Sequence, residues 1–262
     1  MNYTTAHIVC FSPTHTSAEI ARGIAKGTGI GTVETTDLTC DPGKEEIRIE
    51  DRLAIVSAPV YAGRVAPVAL ERIHRLRGNG TPAILAVVYG NRDYEDALVE
   101  LYDTLLGQGF VPVSAGAFIG EHSYSRKEMP IAEGRPDGHD RSLAEQFGKQ
   151  SLRKLEEAGD LNTLSAFPLK GNRPYKEVGT PTPATPLTLE ERCTVCGHCL
   201  EVCPTGAMFT DGQGRIASDP LRCIKCCACV KDCPSQARVF DTPYTAMLHQ
   251  NFSAPRQPEL FL

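Results

Sequence analysis

No stretch of this 262-residue chain stays apolar over the ~20 residues that a membrane-spanning helix needs. The opening run from Met1 to Pro13 has no basic leader followed by a long apolar core, so a secretory signal is not expected. Basic residues are in the minority. Lys and Arg number 27 against 32 Asp and Glu, the net charge is −5, and no basic stripe runs along the chain. A nucleic-acid surface is therefore excluded as the main business, because phosphate backbones are gripped by clustered positive charge. Disulfide-style cysteine usage is missing too: nine of the eleven cysteines crowd between positions 193 and 233, as metal ligands do. What remains is an ordinary globular balance of 41% hydrophobic and 23% charged residues over a length that favours two domains. The expected location is the cytoplasm, in an anaerobic or low-oxygen host.

The crowded cysteines form a repeat. Cys193-x2-Cys196-x2-Cys199-x3-Cys203-Pro204 recurs as Cys223-x2-Cys226-x2-Cys229-x3-Cys233-Pro234, and Ala207 and Ala237 keep the same step of 30. Four thiolates at this tight spacing suit a cubane iron–sulfur cluster. Zinc sites instead pair cysteines across a longer loop, and disulfides need an oxidising compartment. Cys227 has no counterpart, since position 197 is Gly, and reads as a bystander beside the ligands. Cys10 and Cys40 carry no ligand spacing. The repeat resembles the bacterial two-cluster ferredoxins. That resemblance implies crossed wiring, with Cys193, Cys196, Cys199 and Cys233 on one [4Fe-4S] cluster and Cys223, Cys226, Cys229 and Cys203 on the other.

Residues 1–159 alternate in character. The short Val-, Ile- and Ala-rich runs His7–Phe11, Leu53–Ala58, Ile84–Tyr89 and Val111–Ile119 predict buried parallel strands, with Val33–Leu38 a weaker one. Between them, Ile20, Ala21, Ile24 and Ala25, then Ala69, Ile73 and Leu76, then Leu98, Leu101 and Leu105, and finally Ala144, Phe147, Leu152 and Leu155 mark helix faces. Pro67 suits a first helical turn, and Gly107 and Gly109 a helix end. Such alternation implies an α/β fold with a parallel sheet covered on both faces. Residues 160–184, with prolines at 168, 174, 181 and 183, read as a stiff connector that packs in part on a domain. Residues 185–240 hold the cysteine repeat, and 241–262 form a tail ending in Leu260-Phe261-Leu262.

The first strand runs into Ser12-Pro13-Thr14-His15-Thr16-Ser17 and then a helix. Hydroxyls and amides at a helix N-terminus make an anion site, and the missing Lys argues against a nucleotide triphosphate loop. The run resembles the FMN phosphate loop of flavodoxins, with His15 where that family usually carries Gly. Open sheets of this kind bind ligands beyond the carboxyl ends of their strands. Two such loops match those that hold the flavin ring in flavodoxins: Pro59, Val60, Tyr61, Ala62 and Gly63, followed by Arg64, and Gly90, Asn91, Arg92 and Tyr94. Tyr61 is the favoured stacking residue, while Arg64 and Arg92 either face the ring or pair with carboxylates. His122, in Glu121-His122-Ser123-Tyr124-Ser125, is the one candidate proton donor.

The chain as a whole resembles flavodoxin–ferredoxin fusion flavoproteins. This implies a flavodoxin-like doubly wound sheet of order 2-1-3-4-5 followed by a small α+β two-cluster ferredoxin domain, with FMN and two [4Fe-4S] clusters as cofactors. The function it implies is electron transfer between redox protein partners. Two alternatives stand beside it: an FMN-dependent oxidoreductase whose clusters feed a small-substrate reaction, and a cluster-bearing scaffold whose flavodoxin-like domain is empty. No second nucleotide fold is evident, so NAD(P)H is not the expected direct reductant. A homodimer is expected slightly over a monomer, and the apolar Leu260-Phe261-Leu262 end is read as a clasp for either arrangement, across a dimer or folded back on its own chain, or else as a frayed terminus.

Overall fold

The computed structural model describes residues 3–164, 167–180 and 182–262; Pro181 of the connector lies outside the described residues. Five parallel strands form the main sheet: β1 (Thr5–Cys10), β2 (Thr32–Asp37), β3 (Leu53–Tyr61), β4 (Thr81–Tyr89) and β5 (Phe110–Ile119). Their order is β2-β1-β3-β4-β5, the flavodoxin-like doubly wound order expected from the sequence. The register runs Ile8 beside Ile55 and Ile55 beside Ile84, so apolar side chains stack in rows across the sheet. The central β4 is buried along its whole length, which is why its sequence is an unbroken apolar run. Outermost β2 is largely exposed and Thr-rich, which explains its weak signal.

Helices cover both faces. Helix α1 (Thr16–Thr28) and helix α4 (Gly138–Ala158) press Ile20, Ile24, Ala144, Phe147 and Leu155 onto one face. Helix α2 (Pro67–Ile73) and helix α3 (Ala97–Gly107) press Ala69, Ile73, Leu98, Leu101 and Leu105 onto the other. Helices α1 and α4 touch backbone to backbone. A Cβ at Gly148 would fall 2.0 Å from the carbonyl oxygen of Ile24, so only glycine fits there.

After α4 the chain runs back along α3. Phe167 and Leu169 pack on the core, the backbone N–H groups of Asn172 and Lys176 both donate to the carboxylate of Asp96 at 2.7 Å, and Tyr175 donates its hydroxyl to Asp103 at 2.6 Å. The cysteine-rich region then forms two short antiparallel ribbons, Met208–Thr210 with Ile216–Ser218 and Leu187–Thr188 with Arg238–Val239. Its apolar core is small: Met208, Ile216 and Cys229, with Cys193, Cys199, Leu200, Cys203 and Val230 around them. A core this size needs metal to complete it.

The last 22 residues differ from the expected tail. Thr242 caps helix α5 (Pro243–Phe252), its side-chain hydroxyl accepting from the Thr245 N–H at 3.3 Å, with Pro243 in the first turn. The chain then returns to the main sheet as β6 (Glu259–Phe261), antiparallel to β5, with Leu260 opposite Gly116. Leu260 and Phe261 pack on opposite faces of the core. These apolar residues are thus used within their own chain, and the tail gives no support to a dimer clasp.

Candidate functional site

The eight repeat cysteines line two cavities. One is bounded by Cys203, Cys223, Cys226 and Cys229, together with Cys227, Met208 and Ile224. The other is bounded by Cys193, Cys196, Cys199 and Cys233, together with Ile216 and Arg238. Each cavity therefore draws three cysteines from one repeat and the fourth from the other. Among the described residues no three His, Cys, Asp or Glu side chains crowd close enough to hold a single metal ion. The cysteines instead ring a void, a donor set that suits a cuboidal cluster.

The two repeats share backbone conformation as well as spacing. Val195 and Lys225 both have positive φ (53° and 57°), as do Gly206 and Gln236 (59° and 51°) and Gly197 and Cys227 (82° and 60°). These left-handed residues turn amides inward. The N–H of Ala207 donates to Cys203 Sγ at 3.2 Å, and that of Ala237 to Cys233 Sγ at 3.3 Å. Such bonds stabilise thiolate charge. Cys227 thus fills a left-handed position that the first repeat gives to glycine, immediately before the short helix Ala228–Lys231. It is 2% exposed and lines the cavity beside the ligands.

This region is docked on the carboxyl ends of the main strands. Ile224 packs on the core cluster that α2 and α3 share with the main sheet. Lys231 Nζ donates to Glu121 Oε1 at 2.6 Å and to the Ser125 carbonyl at 3.0 Å; Arg72 Nη2 donates to the Pro204 carbonyl at 2.6 Å. Cys40, at the end of β2, donates its thiol to the Glu201 carbonyl at 3.5 Å. Tyr124 meets Phe240 and Tyr244 edge-on, with ring centroids 5.0 and 6.3 Å away. Tyr61, half-buried at the end of β3, has its pKa pushed well up, first by burial and then by nearby Cys226, Cys227, Tyr124 and Cys223.

In the phosphate loop, His15 has φ 68°, the left-handed conformation that glycine would adopt without strain. Its imidazole leaves the loop and meets the Asp232 carboxylate at 3.1 Å. Ser12 Oγ accepts from the Ala18 N–H at 3.0 Å, and the Ser12 N–H donates to Thr39 Oγ1 at 2.7 Å. Ser17 Oγ is buried at the start of α1 and has no hydrogen-bond partner. An orphaned hydroxyl beside the positive end of a 13-residue helix, with Thr14 and Thr16 next to it, fits a phosphate.

The two ring loops fare differently. Val60 pairs with Val65 and Tyr61 with Arg64, so Ala62 and Gly63 form the tip of a tight hairpin whose first arm carries Pro59 and Tyr61. Arg64 pairs with buried Glu100 and stacks over Tyr175 at 4.7 Å. In the second loop, Gly90 allows His122 to approach: a Cβ there would fall 2.4 Å from the imidazole. Asn91 donates its side-chain amide to the carbonyls of Phe252 and Ala254, and Arg92 pairs with Glu95. Tyr94 is fully buried, with its hydroxyl on Glu259 at 2.7 Å. Tyr94 therefore offers no open face for stacking, because the C-terminal segment, unforeseen in the sequence, claims this loop.

His122 accepts the Tyr124 N–H on Nδ1 at 3.0 Å, and its pKa falls to about 4 through burial, then Lys231 and Arg92. It is neutral near pH 7 and poorly matched to donating a proton there. A consequence is measurable. The unfolded chain takes up this proton near pH 6.5 and the folded chain only near 4, so stability is full above 6.5 and falls as pH drops through that window. His122→Asn should remove about 1 kcal/mol of the loss in unfolding free energy between pH 7 and pH 5.5, read by urea denaturation. Equal losses in both proteins would refute the assignment.

Residues 186–234 match the family model of the 4Fe-4S dicluster domain. Over 65 residues the chain is 42% identical to the thiosulfate reductase electron transfer subunit PhsB of Salmonella typhi, covering 24% of this chain and 33% of that protein. Over 75 residues it is 36% identical to the polyferredoxin protein MvhB of Methanothermobacter marburgensis, covering 23% and 18%. The chain thus spans a third or less of the length of these two relatives. Pyruvate synthase subunit PorD of Methanocaldococcus jannaschii is 33% identical over 67 residues, which are 26% of this chain and 78% of PorD. Among solved structures, a Streptococcus pneumonia flavodoxin aligns over 57% of this chain and 99% of its own at 18% identity, with a TM-score of 0.41. By its cysteine repeat this chain belongs to the 4Fe-4S dicluster ferredoxin-like proteins, here joined to a sheet of flavodoxin-like order.

Proposed function

We propose that the protein is an electron relay in which two [4Fe-4S] clusters exchange single electrons with FMN held at the carboxyl ends of the main sheet. The observation that carries this reading is the docking of the second cysteine loop, through Ile224, onto the end of the sheet where the Ser12–Ser17 loop and Tyr61 lie. Electron tunnelling requires close approach, and this packing supports that reading.

Cys193, Cys196, Cys199 and Cys233 would hold one cluster, and Cys223, Cys226, Cys229 and Cys203 the other. Ser12, Thr14, Thr16 and Ser17 would hold the FMN phosphate, and the Pro59–Gly63 hairpin would flank the ring. When bound, FMN supplies exchange of electrons in pairs or singly, and each cluster moves one at a time. Lys231 and Asp232 keep the second cysteine loop against Glu121 and His15, so the docked geometry does not depend on a mobile linker. Cys226 and Cys229 are buried, whereas Cys196 is exposed beside half-exposed Val195. The first cluster loop is therefore the port for an external redox protein. The likeness to PhsB, an electron transfer subunit, supports this class of role.

The test begins with heat release of the cofactor and its identification by chromatography, where FMN is expected. Ser17→Ala should weaken FMN binding by about 1–3 kcal/mol, the range for a charge-assisted hydrogen bond. Stopped-flow reduction by a sub-stoichiometric one-electron donor should then show flavin and cluster signals re-equilibrating with each other. Recovery of FAD, or independent reduction of the two centres, would overturn the relay.

A further inference from the structure

Arg238 stands where the internal repeat puts Met208, and the difference has chemical weight. Its side chain is almost wholly buried, at 3% exposure. Nη1 donates to Thr188 Oγ1; Nη2 donates to the Pro186 carbonyl at 2.8 Å and to Ser218 Oγ at 2.6 Å. Nη2 also lies 3.4 Å from Met208 Sδ and 4.0 Å from Cys229 Sγ, and Nε is buried without any partner. Every one of these contacts is neutral or a cysteine sulfur. Among the described residues no carboxylate pairs with this guanidinium, although arginine stays charged at any pH the fold experiences.

A buried, unpaired charge is unfavourable unless an opposite charge lies nearby. Two sources of negative charge flank this one. Arg238 lines the cavity of Cys193, Cys196, Cys199 and Cys233, while its Nη2 faces Cys229 of the other. A cluster ligated by four thiolates is a net anion and gains one further negative charge on reduction. Resting on the two-cluster reading above, we infer that Arg238 is the shared counter-charge of both clusters and holds both reduction potentials up. The step it biases is the uptake of one electron by each cluster from a one-electron donor, with no bond made or broken and no proton required. Arg238 is a positioning residue in this scheme, since it ligates neither cluster.

The experiment is an EPR-monitored redox titration of the intact protein with dithionite, on wild type, Arg238→Gln and Arg238→Lys. Arg238→Gln should lower the reduction equilibrium of both clusters at least tenfold, which is 59 mV for one electron. Arg238→Lys, which keeps the charge, should hold both within about threefold of wild type. Arg238→Gln losing its clusters while Arg238→Lys retains them also supports the charge role. Unchanged potentials in a loaded Arg238→Gln, or a shift confined to one cluster, overturn it. Loss of clusters from both variants overturns it too, because hydrogen bonding and not charge would then be the requirement. Wild-type protein that binds no iron after anaerobic reconstitution would defeat the two-cluster reading itself, a result distinguishable from all of these.

Discussion

Cys233→Ser should extinguish the EPR signal of the cluster whose other ligands lie about forty positions upstream, leaving about half of the reduced spin intensity. The cause is geometric. Cys233 lines the same cavity as Cys193, Cys196 and Cys199, whereas its near neighbours in sequence, Cys223, Cys226 and Cys229, line the other with Cys203. Cys203→Ser should accordingly silence the complementary signal. The assignment is checked by pairing variants: Cys233→Ser must lose the same signal as Cys196→Ser, and Cys203→Ser the same as Cys226→Ser. If Cys233→Ser and Cys226→Ser lose one signal in common, the wiring is local and the crossed scheme is wrong. The remaining cluster should survive in each variant, because the opposite cavity keeps all of its own cysteines.

The largest effect on stability is expected at Glu100. Its side chain is 3% exposed and accepts from Arg64 Nε at 2.9 Å, from Arg64 Nη2, and from the Val65 N–H at 2.8 Å. These bonds tie helix α3 to the hairpin that bears Tyr61, and the Glu100 hydrogen bond is the main cause of a raised pKa at Arg64. Removing the carboxylate leaves the Val65 N–H unsatisfied and the Arg64 charge without its partner in a poorly hydrated place. Breaking a buried pair from one side costs about 3–5 kcal/mol. Glu100→Ala should lose that much in urea denaturation followed by far-UV circular dichroism. It should also loosen the hairpin, seen as faster amide exchange at Val65. A loss below about 1 kcal/mol would mean that Arg64 is satisfied by Lys176 and Tyr175 alone.

The strands of the main sheet were readable because a strand buried on both faces must be apolar throughout. The runs at Ile84–Tyr89 and Leu53–Ala58 have no other simple reading, and the structure lengthens them without moving them. The cysteine repeat was readable for a different reason: ligand spacing is imposed by the cluster, so the chemistry is written locally. Strand β6 escaped because the three residues after Pro258 are too few to carry a periodicity, and its pairing with β5 depends on a partner about 140 positions away. Helix α5 did leave a signal, Thr242-Pro243, a capping residue followed by a first-turn proline. Arg238 also left one, as the departure from Met208 in an otherwise regular repeat. The contact between His15 and Asp232 left none. The two residues are 217 positions apart, and only tertiary docking brings them together.

The return of the chain end to β5 has a mechanical consequence. The cysteine-rich body leaves the main sheet along residues 167–180, which are stitched to α3, and the chain rejoins the same sheet at Glu259–Phe261. It is an excursion from one folded body, fixed at departure and at arrival, and not a bead on a string. A bead can swing between a donor and an acceptor, as carriers on single flexible linkers do. A loop anchored at both ends cannot, so the rate of internal transfer should be indifferent to solvent viscosity. The two bodies also cannot be parted by one proteolytic cut: a nick in the connector leaves the cysteine-rich body attached through the Leu260–Gly116 pairing until that edge of the sheet peels away.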